Sequence, residues 1–336
     1  MSFPRILSSR GAGSLWRAAA ISLLAALCLA GPASGAPSHY PQHSIEVILP
    51  YAPGGTGDVI ARLVSQRLSE KLGQAVIVLN KPGAAGTIGA AAAARARPDG
   101  YTLLLGYTSE MVISPYLVPD ATYKVNRDFE PVAMAGSTPL LLVANAKLHV
   151  NSLQQFIDLA KKQPGTLSYA TAGVGSPADI AGRLLERSAG IHLINVPYKG
   201  GNQAITNVVS GFSSIYFSGM PPAVPFVKSG ALSALGVAST TPSPTLPDVP
   251  ALAAGAYPRL DLNGWFGFFV PKGVDPHIVS LLAENIGSIL KEEPVRKRLG
   301  ALGVTTPPMS REQFGSYVQA EQRKYSALIK ELDIHD

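Results

Sequence analysis

The stretch that decides the fold is YAPGGTGDVIARLVSQRLSEKLGQ (residues 51–74), which directly follows the apolar run IEVILP (45–50). The run has the length and the β-branched content of a buried strand. Beyond Asp58, apolar side chains recur every four residues, which predicts a helix with one apolar face. Three glycines and a proline separate the strand from the helix. A strand, a glycine-rich turn and a helix in this order predict the first unit of an α/β fold.

Apolar runs and helical patterns alternate along most of the chain. The runs are too apolar to leave one face in water, as in buried parallel strands. The alternation predicts an α/β fold with mainly parallel sheets. The predicted strands are 45–50, 75–80, 101–107, 137–145, 166–173, 194–198, 213–218, 231–239 and 263–273. After the first helix, the predicted helices are 86–96, 153–162, 177–189, 200–211, 276–291, 294–300 and 311–332.

The order of strand, glycine-rich turn, acidic residue and helix recurs in the second half of the chain, in LSYATAGVGSPADIAGRLLERSAG (167–190). A helix start leaves backbone amides unpaired and carries partial positive charge. Glycines before such a start let the backbone approach a ligand closely. Residues 51–58 and 172–179 both have this form, and each predicts an anion site that needs no charged side chain. Tight turns that need glycine are the alternative interpretation of each loop, and helix capping is an alternative role for Asp58.

The first 36 residues have the pattern of a secretory signal peptide. Arg5, Arg10 and Arg17 give a basic start, and the apolar run 18–30 is shorter than the roughly 20 residues of a membrane span. The sequence thus predicts a protein exported to the periplasm, with a signal peptide at 1–36. The single cysteine, Cys28, lies within that segment, so the remaining chain has no thiol for a disulfide or a metal site.

Charge favours a small anionic ligand over nucleic acid. The formal net charge is +6, and removal of the three arginines of the signal peptide leaves +3. This excess is spread along the chain without a basic run, which gives no support for nucleic-acid binding.

Catalytic patterns are missing from the sequence. The six histidines are scattered without metal-ligand spacing, and no G-x-S-x-G motif occurs. The loops match neither the P-loop nor the dinucleotide-binding glycine pattern. We therefore expect a binding protein with no enzymatic activity, no metal and no cofactor.

Seven stretches, in order, resemble the Bug or TctC-type solute-binding proteins of tripartite tricarboxylate transporters. The resemblance implies a periplasmic two-lobe fold of the type II binding-protein class, with a cleft between the lobes. It also implies capture of a small carboxylate for membrane transporter subunits. The stretches are YAPGGTGDVIARLVSQRLSEKLGQAVIVLNKPGAAGTIGA, ARPDGYTLLLGY, DFEPVAM, LSYATAGVGSPADIAG, VPYKGGNQAITNVVSG, LPDVPALAAGAYP and WFGFFVPKG.

The resemblance also implies which residues contact the carboxylate. In the family, the two glycine-rich loops clasp the ligand, and the stretch that matches LLGYTSE lines the same cleft. Lys199 follows from the VPYKGG segment. The candidate ligand-binding residues are Tyr51, Ala52, Gly54, Gly55, Thr56, Asp58, Tyr107, Thr108, Ser109, Gly173, Val174, Gly175, Ser176 and Tyr198.

Some positions depart from the family pattern. Asp179 stands where many relatives have histidine, and Ser214 and Ser218 stand where they often have aspartate. Glu110 is either solvated or faces the cleft, where it would disfavour a second carboxylate or select a cationic group. An aromatic or flat carboxylate is favoured if two of Tyr51, Tyr107 and Tyr198 face inward, and packing on loop backbone is the alternative.

The predicted lobes are residues 38–138 with 263–336, and residues 139–262, in a monomer. A sensor that reports carboxylate to a two-component system would have the same binding lobes, so sensing stays open beside transport. Valine at Gly55 or Gly175 is expected to abolish binding and to leave the fold intact.

Overall fold

The longest strand, β4 (Phe129–Asn145), joins two parts of the sheet. Its first part pairs with β9 (Asn263–Pro271), up to the Pro139–Asn263 pair. Its second part pairs with β7 (Ile215–Gly219), from the Leu140–Gly219 pair onward, and with β8 (Leu232–Val237). The strand therefore changes partners within its own length.

The computed structural model describes residue 1 and residues 40–117 and 122–334. The sheet runs in the order β2-β1-β3-β9-β4-β7-β5-β6, with β8 paired to β4. The other strands are β1 (Ile45–Leu49), β2 (Val76–Asn80), β3 (Thr102–Tyr107), β5 (Ser168–Thr171) and β6 (Ile194–Pro197). The helices are α1 (Thr56–Leu72), α2 (Thr87–Ala94), α3 (Ser114–Leu117), α4 (Val125–Asp128), α5 (Leu153–Lys162), α6 (Pro177–Ala189), α7 (Gly201–Ser210), α8 (Met220–Lys228), α9 (Pro276–Lys291), α10 (Glu293–Gly300) and α11 (Arg311–Glu331). A π-helical turn at Ser109–Ile113 and 3₁₀ turns at Ala84–Gly86, Ala146–Leu148, Leu252–Ala254 and Pro258–Leu260 complete the elements.

The α/β class and the two-lobe fold are confirmed, but the prediction of mainly parallel sheets is wrong. β1 pairs in parallel with β2 and β3, and β5 pairs in parallel with β6 and β7. Every named pair that includes β4 or β9 is antiparallel. The sheet is mixed because these two strands run back through its middle. The lobe boundaries stay a prediction, and the predicted limit at 138/139 falls where β4 changes partners.

Two of the elements that differ from the sequence expectation do so for simple reasons. Helix α8 was not expected because Pro221, Pro222 and Pro225 resemble a loop. Pro221 and Pro222 lie in the first turn of α8, where backbone N–H groups have no partner within the helix. β2 was expected to be buried, but it is the last strand of the sheet, and its Ile77 is 47% exposed.

Strand β9 carries the core on one face and the cleft on the other. Trp265 and Phe269 are buried and pack on Phe314 of α11, with ring centroids 6.0 and 5.3 Å away. A Cβ on Gly267 would lie 2.1 Å from Phe314, so only glycine lets α11 approach. Because side chains alternate along a strand, Phe266 faces the opposite side.

The predicted signal peptide falls, beyond Met1, outside the described residues. Within the described part of the chain, no helix has the length and apolar character to cross a membrane. The same residues contain no group of three or more His, Cys, Asp or Glu side chains placed to hold a metal ion.

Candidate functional site

Four helices begin at one cavity of about 210 Å³, here called the inner cavity. Residues 55–57 at the start of α1 and 176–178 at the start of α6 line it. Residues 200–202 at the start of α7, and Gly219 and Pro222 at the start of α8, line it as well. The starts of α1, α6 and α7 offer unpaired amides, whereas Pro221 and Pro222 leave α8 with few N–H groups in its first turn. The partial positive charge of the helix starts favours an anion here without a charged partner.

The rest of the inner cavity is largely aromatic and apolar, with Leu140 and Phe217 among its walls. Tyr107 stacks on Phe266 with ring centroids 4.5 Å apart, and Tyr51 meets Tyr107 edge-on at 5.7 Å. These three rings form a continuous surface, here called the aromatic wall. A ligand with an anionic end and an apolar body matches this distribution.

The first loop is shaped by the Asp58 carboxylate. Its Oδ2 accepts hydrogen bonds from the Gly54 N–H at 3.1 Å and from Arg62 Nε at 2.9 Å. Asn80 Nδ2 donates to Oδ1 at 3.5 Å. Burial opposes ionisation, but the bonds from Arg62 and Gly54 hold the pKa of Asp58 below its usual value. The cap residue of α1 is Gly55, so Asp58 stabilises the loop from inside the helix.

The second loop repeats this arrangement around Asp179. Its Oδ2 accepts from the Gly175 N–H at 3.0 Å, and its Oδ1 accepts from Arg183 Nε at 3.1 Å and Asn195 Nδ2 at 2.7 Å. In both loops the glycine precedes the aspartate by four residues and the arginine follows it by four. The order that recurs in the sequence is therefore a repeated loop scaffold. Asp179 differs from Asp58 in being fully buried.

Two hydrogen bonds cross the cleft. Asn202, in the first turn of α7, donates from Nδ2 to the Pro53 carbonyl at 2.7 Å. Ser109 Oγ donates to the Gly175 carbonyl at 3.5 Å. These bonds hold the two glycine-rich loops on opposite sides of the same cavity. Asn202 could not be selected from the sequence, since an amide side chain in a helix usually lies on a solvated face.

A second, outer cavity of about 630 Å³ lies beside the inner one and shares Ala52, Ala172 and Lys199 with it. Of the predicted site residues, those on the inner cavity are Tyr51, Ala52, Gly55, Thr56, Asp58, Tyr107, Ser109 and Ser176. Those on the outer cavity are Ala52, Gly173, Val174 and Tyr198.

Three predicted residues line neither cavity. The Gly54 and Gly175 amides donate to the two loop aspartates. The Thr108 hydroxyl accepts from the Trp265 N–H at 2.8 Å and holds β9. These residues shape the site, and the structure gives no support to direct ligand contact by them.

Glu110 is not solvated, so that interpretation is wrong. It is fully buried behind the aromatic wall. Its Oε2 accepts from the Tyr51 hydroxyl and its Oε1 from the Tyr107 N–H, both at 2.7 Å. Burial raises the pKa of Glu110 to about 8, even though these hydrogen bonds favour the ionised form.

Hydroxyl groups supply the remaining polar surface. Ser176 caps α6 by accepting from the Asp179 N–H at 3.3 Å, which leaves its own hydrogen to donate.

Tyr216 on β7 was not selected from the sequence, because the alternation of side chains in SSIYFS does not indicate which face of the strand meets the cavity. It is 4% exposed and lines the inner cavity, and its hydroxyl has no hydrogen-bond partner among the described residues.

Replacement of Tyr216 by Phe should weaken binding of a carboxylate about tenfold. The loss of one hydrogen bond to a charged group corresponds to about 1.5 kcal/mol or more. Isothermal titration calorimetry measures the effect. Tyr198→Phe is the matched control, since the Tyr198 hydroxyl bonds Ser213 at 3.0 Å and Tyr198 lines the outer cavity. Equal losses in both variants would contradict a direct role for Tyr216.

Lys199 adds an exposed positive charge to the site. Its side chain is exposed, it lines both cavities, and within the described residues no carboxylate forms an ion pair with it. Asp58 is already paired with Arg62. An exposed ammonium group beside the cavities favours the approach of an anion.

The sequence model of the tripartite tricarboxylate transporter family receptor, TctC, matches residues 60–334. BugT of Bordetella pertussis is 35% identical over 293 residues, which cover 87% of this chain and 90% of BugT. The structure of Rhodopseudomonas palustris Rpa4515 with adipate superposes with a TM-score of 0.85 at 26% identity, covering 88% of this chain and 99% of Rpa4515. MatC from R. palustris with bound malate superposes with a TM-score of 0.81 at 30% identity, covering 86% of this chain and all of MatC (100%). The chain therefore belongs to the TctC/Bug family of periplasmic solute-binding proteins.

Proposed function

We propose that this protein captures a small carboxylate in the inner cavity and delivers it to the membrane subunits of a tripartite tricarboxylate-type transporter. It acts in the periplasm, as a monomer, after removal of the signal peptide at 1–36. The observation that carries the proposal is the convergence of four helix starts on one cavity whose other walls are mainly apolar.

In the proposed binding mode, different parts of the site contact the carboxylate and the rest of the ligand. Backbone amides at the starts of α1, α6 and α7 bind the carboxylate, with the hydroxyls of Thr56, Ser176 and Tyr216 as further donors. The aromatic wall contacts the body of the ligand. Adipate in Rpa4515 and malate in MatC support a small carboxylate as the class. The rings favour an apolar or flat body, because aromatic faces pack well on such surfaces.

We expect the ligand to close the cleft because it binds the closed arrangement more tightly than the open one. The two loops contact opposite sides of the ligand, so the ligand stabilises the closed arrangement by its greater affinity for it. A transporter can then recognise the closed face.

A thermal-shift screen tests the proposal. The panel contains aliphatic mono-, di- and tricarboxylates, aromatic carboxylates, amino acids and nicotinate, with sugars as controls. A ligand that binds the folded state raises Tm by mass action. We expect a carboxylate to raise Tm, whereas a response only to sugars or amines would overturn the proposed ligand class. A deletion strain that loses uptake of the same carboxylate would separate transport from sensing.

A further inference from the structure

Glu110 forms a hydrogen-bonded support for the aromatic wall. Its two carboxyl oxygens contact two different wall residues, the Tyr51 hydroxyl and the Tyr107 amide. Its backbone carbonyl accepts from the Tyr123 hydroxyl at 2.6 Å. Gly86 approaches so closely that a Cβ there would lie 2.6 Å from Oε2. The carboxyl group is thus fixed directly behind two residues that line the inner cavity.

No cation in the described part of the chain neutralises this carboxyl group. Among the described residues, Glu110 takes part in no ion pair. The titratable groups around it are the phenols of Tyr51, Tyr107 and Tyr123, and burial raises the pKa of each above its ordinary value. The 3₁₀ turn Ala84–Gly86 brings no titratable side chain.

The helices beside Glu110 do not neutralise it either. On α11, which packs against the π-helical turn, the buried titratable groups are Glu321 and Tyr325. Glu321 accepts from Trp265 Nε1 at 3.2 Å and pairs with Lys324. On α3 the only titratable side chain, Tyr116, is exposed.

We propose that Glu110 is a positioning residue that couples anion capture to pH, because it holds the aromatic wall and carries its proton whenever the inner cavity contains an anion. This inference rests on the proposed function. An ionised Glu110 and a bound carboxylate are like charges on the two sides of the aromatic wall. Ionisation of Glu110 therefore disfavours carboxylate binding, and a bound carboxylate disfavours ionisation of Glu110. By reciprocity, the proton and the anionic ligand favour each other's binding.

The sign of the pH dependence follows from this coupling. Below about pH 8, Glu110 is largely protonated with or without ligand, so affinity is flat. Above that pH, the ligand-free protein loses the proton and must regain it on binding. Affinity then falls with rising pH, by at most about tenfold per pH unit for one proton.

The test compares wild type with Glu110→Gln, using adipate as the probe between pH 6.5 and 9.5. Glutamine keeps the shape, accepts from Tyr107 through Oε1 and donates to Tyr51 through Nε2. We expect the affinity of wild type to fall above pH 8 and that of Glu110→Gln to stay flat. Calorimetry in two buffers of different ionisation enthalpy should detect up to one proton taken up by wild type and none by the variant. Glu70→Gln, an exposed acid paired with Arg67, is the control that should behave as wild type.

A second measurement needs no ligand. Because the folded-state pKa of Glu110 is raised, its contribution to stability is present below about pH 4.3 and is lost as pH rises toward 8. The Tm difference between Glu110→Gln and wild type should therefore grow from pH 5 to pH 8. Identical pH profiles of Tm, or equal pH dependence of adipate binding in both proteins, would overturn the proposal. Failure of adipate and of every screened carboxylate would instead overturn the proposed function, and the Tm profiles would still decide the titration of Glu110.

Discussion

Gly175→Val should reduce carboxylate affinity by more than 100-fold. Gly175 has φ +70°, a conformation in which a β-branched residue is strained. A Cβ would also lie 2.3 Å from Leu117 Cδ1. The loop would have to move, and with it the Gly175 amide that donates to Asp179. Because the start of α6 is aligned by this bond, the amides that face the cavity would move with it. Calorimetry with the best ligand of the screen measures the loss.

The control for this variant lies at the other end of the same helix. Gly190 ends α6 with φ +62°, and nothing lies within 4 Å of its Cβ position. Gly190→Val therefore brings a similar backbone strain, of about 1–2 kcal/mol, far from the cavity. Its Tm should fall while its affinity stays unchanged. Wild-type affinity in Gly175→Val would refute the two-loop clasp.

Gly55, for which the sequence predicts the same effect of valine as for Gly175, is a different case in the structure. Its φ is −83°, which any residue adopts. A Cβ there would meet only Asn202 Oδ1, at 3.9 Å. We therefore expect Gly55→Ala to bind nearly normally. The expectation that Gly55→Val abolishes binding stays a prediction, and it lacks the backbone strain that supports the same expectation at Gly175.

Local sequence patterns predicted the bounds of a helix well where a capping residue marks its start and a glycine marks its end. Helix α6 was expected at 177–189 and spans Pro177–Ala189, because Ser176 caps its start and Gly190 ends it. Helix α8 was missed because three prolines in nine residues favour a loop; Pro221 and Pro222 are tolerated in the first turn, and Pro225 lies inside the helix. The direction of β4 and β9 was also missed, since an apolar run does not state its orientation in a sheet.

In the candidate site, the sequence indicates the parts formed by backbone amides, and it does not indicate the side chains that folding brings together from distant positions. The two glycine-rich loops are recognisable from spacing alone. Tyr216 and Asn202 reach the cavity only because β7 and the start of α7 lie opposite the first loop. Glu110 resembles a surface acid in the sequence, and its burial depends on Tyr51, 59 residues away. Such contacts are set by tertiary packing, which no local pattern encodes.

Asp179→Ala should destabilise the protein by roughly 3–5 kcal/mol, the usual cost of breaking a buried ion pair. The substitution removes one carboxylate that satisfies the Gly175 amide, Arg183 and Asn195 together. The Gly175 amide is then left buried without an acceptor, and Asn195 Oδ1 already has no hydrogen-bond partner among the described residues. Urea unfolding gives the change in the free energy of unfolding.

Asp58→Ala is the matched variant, because it removes the same three types of contact at the more exposed loop. The Arg62 side chain is 55% exposed, against 32% for Arg183, so water can replace the lost ion pair. We expect a loss of roughly 1 kcal/mol in stability.

Carboxylate affinity should fall in both variants, because each aspartate orients the loop whose helix start faces the cavity. Equal stability losses would mean that burial does not distinguish the two scaffolds. Unchanged affinity in Asp58→Ala would mean that the first loop keeps its shape without its aspartate, and the ligand would then depend on the second loop and on α7.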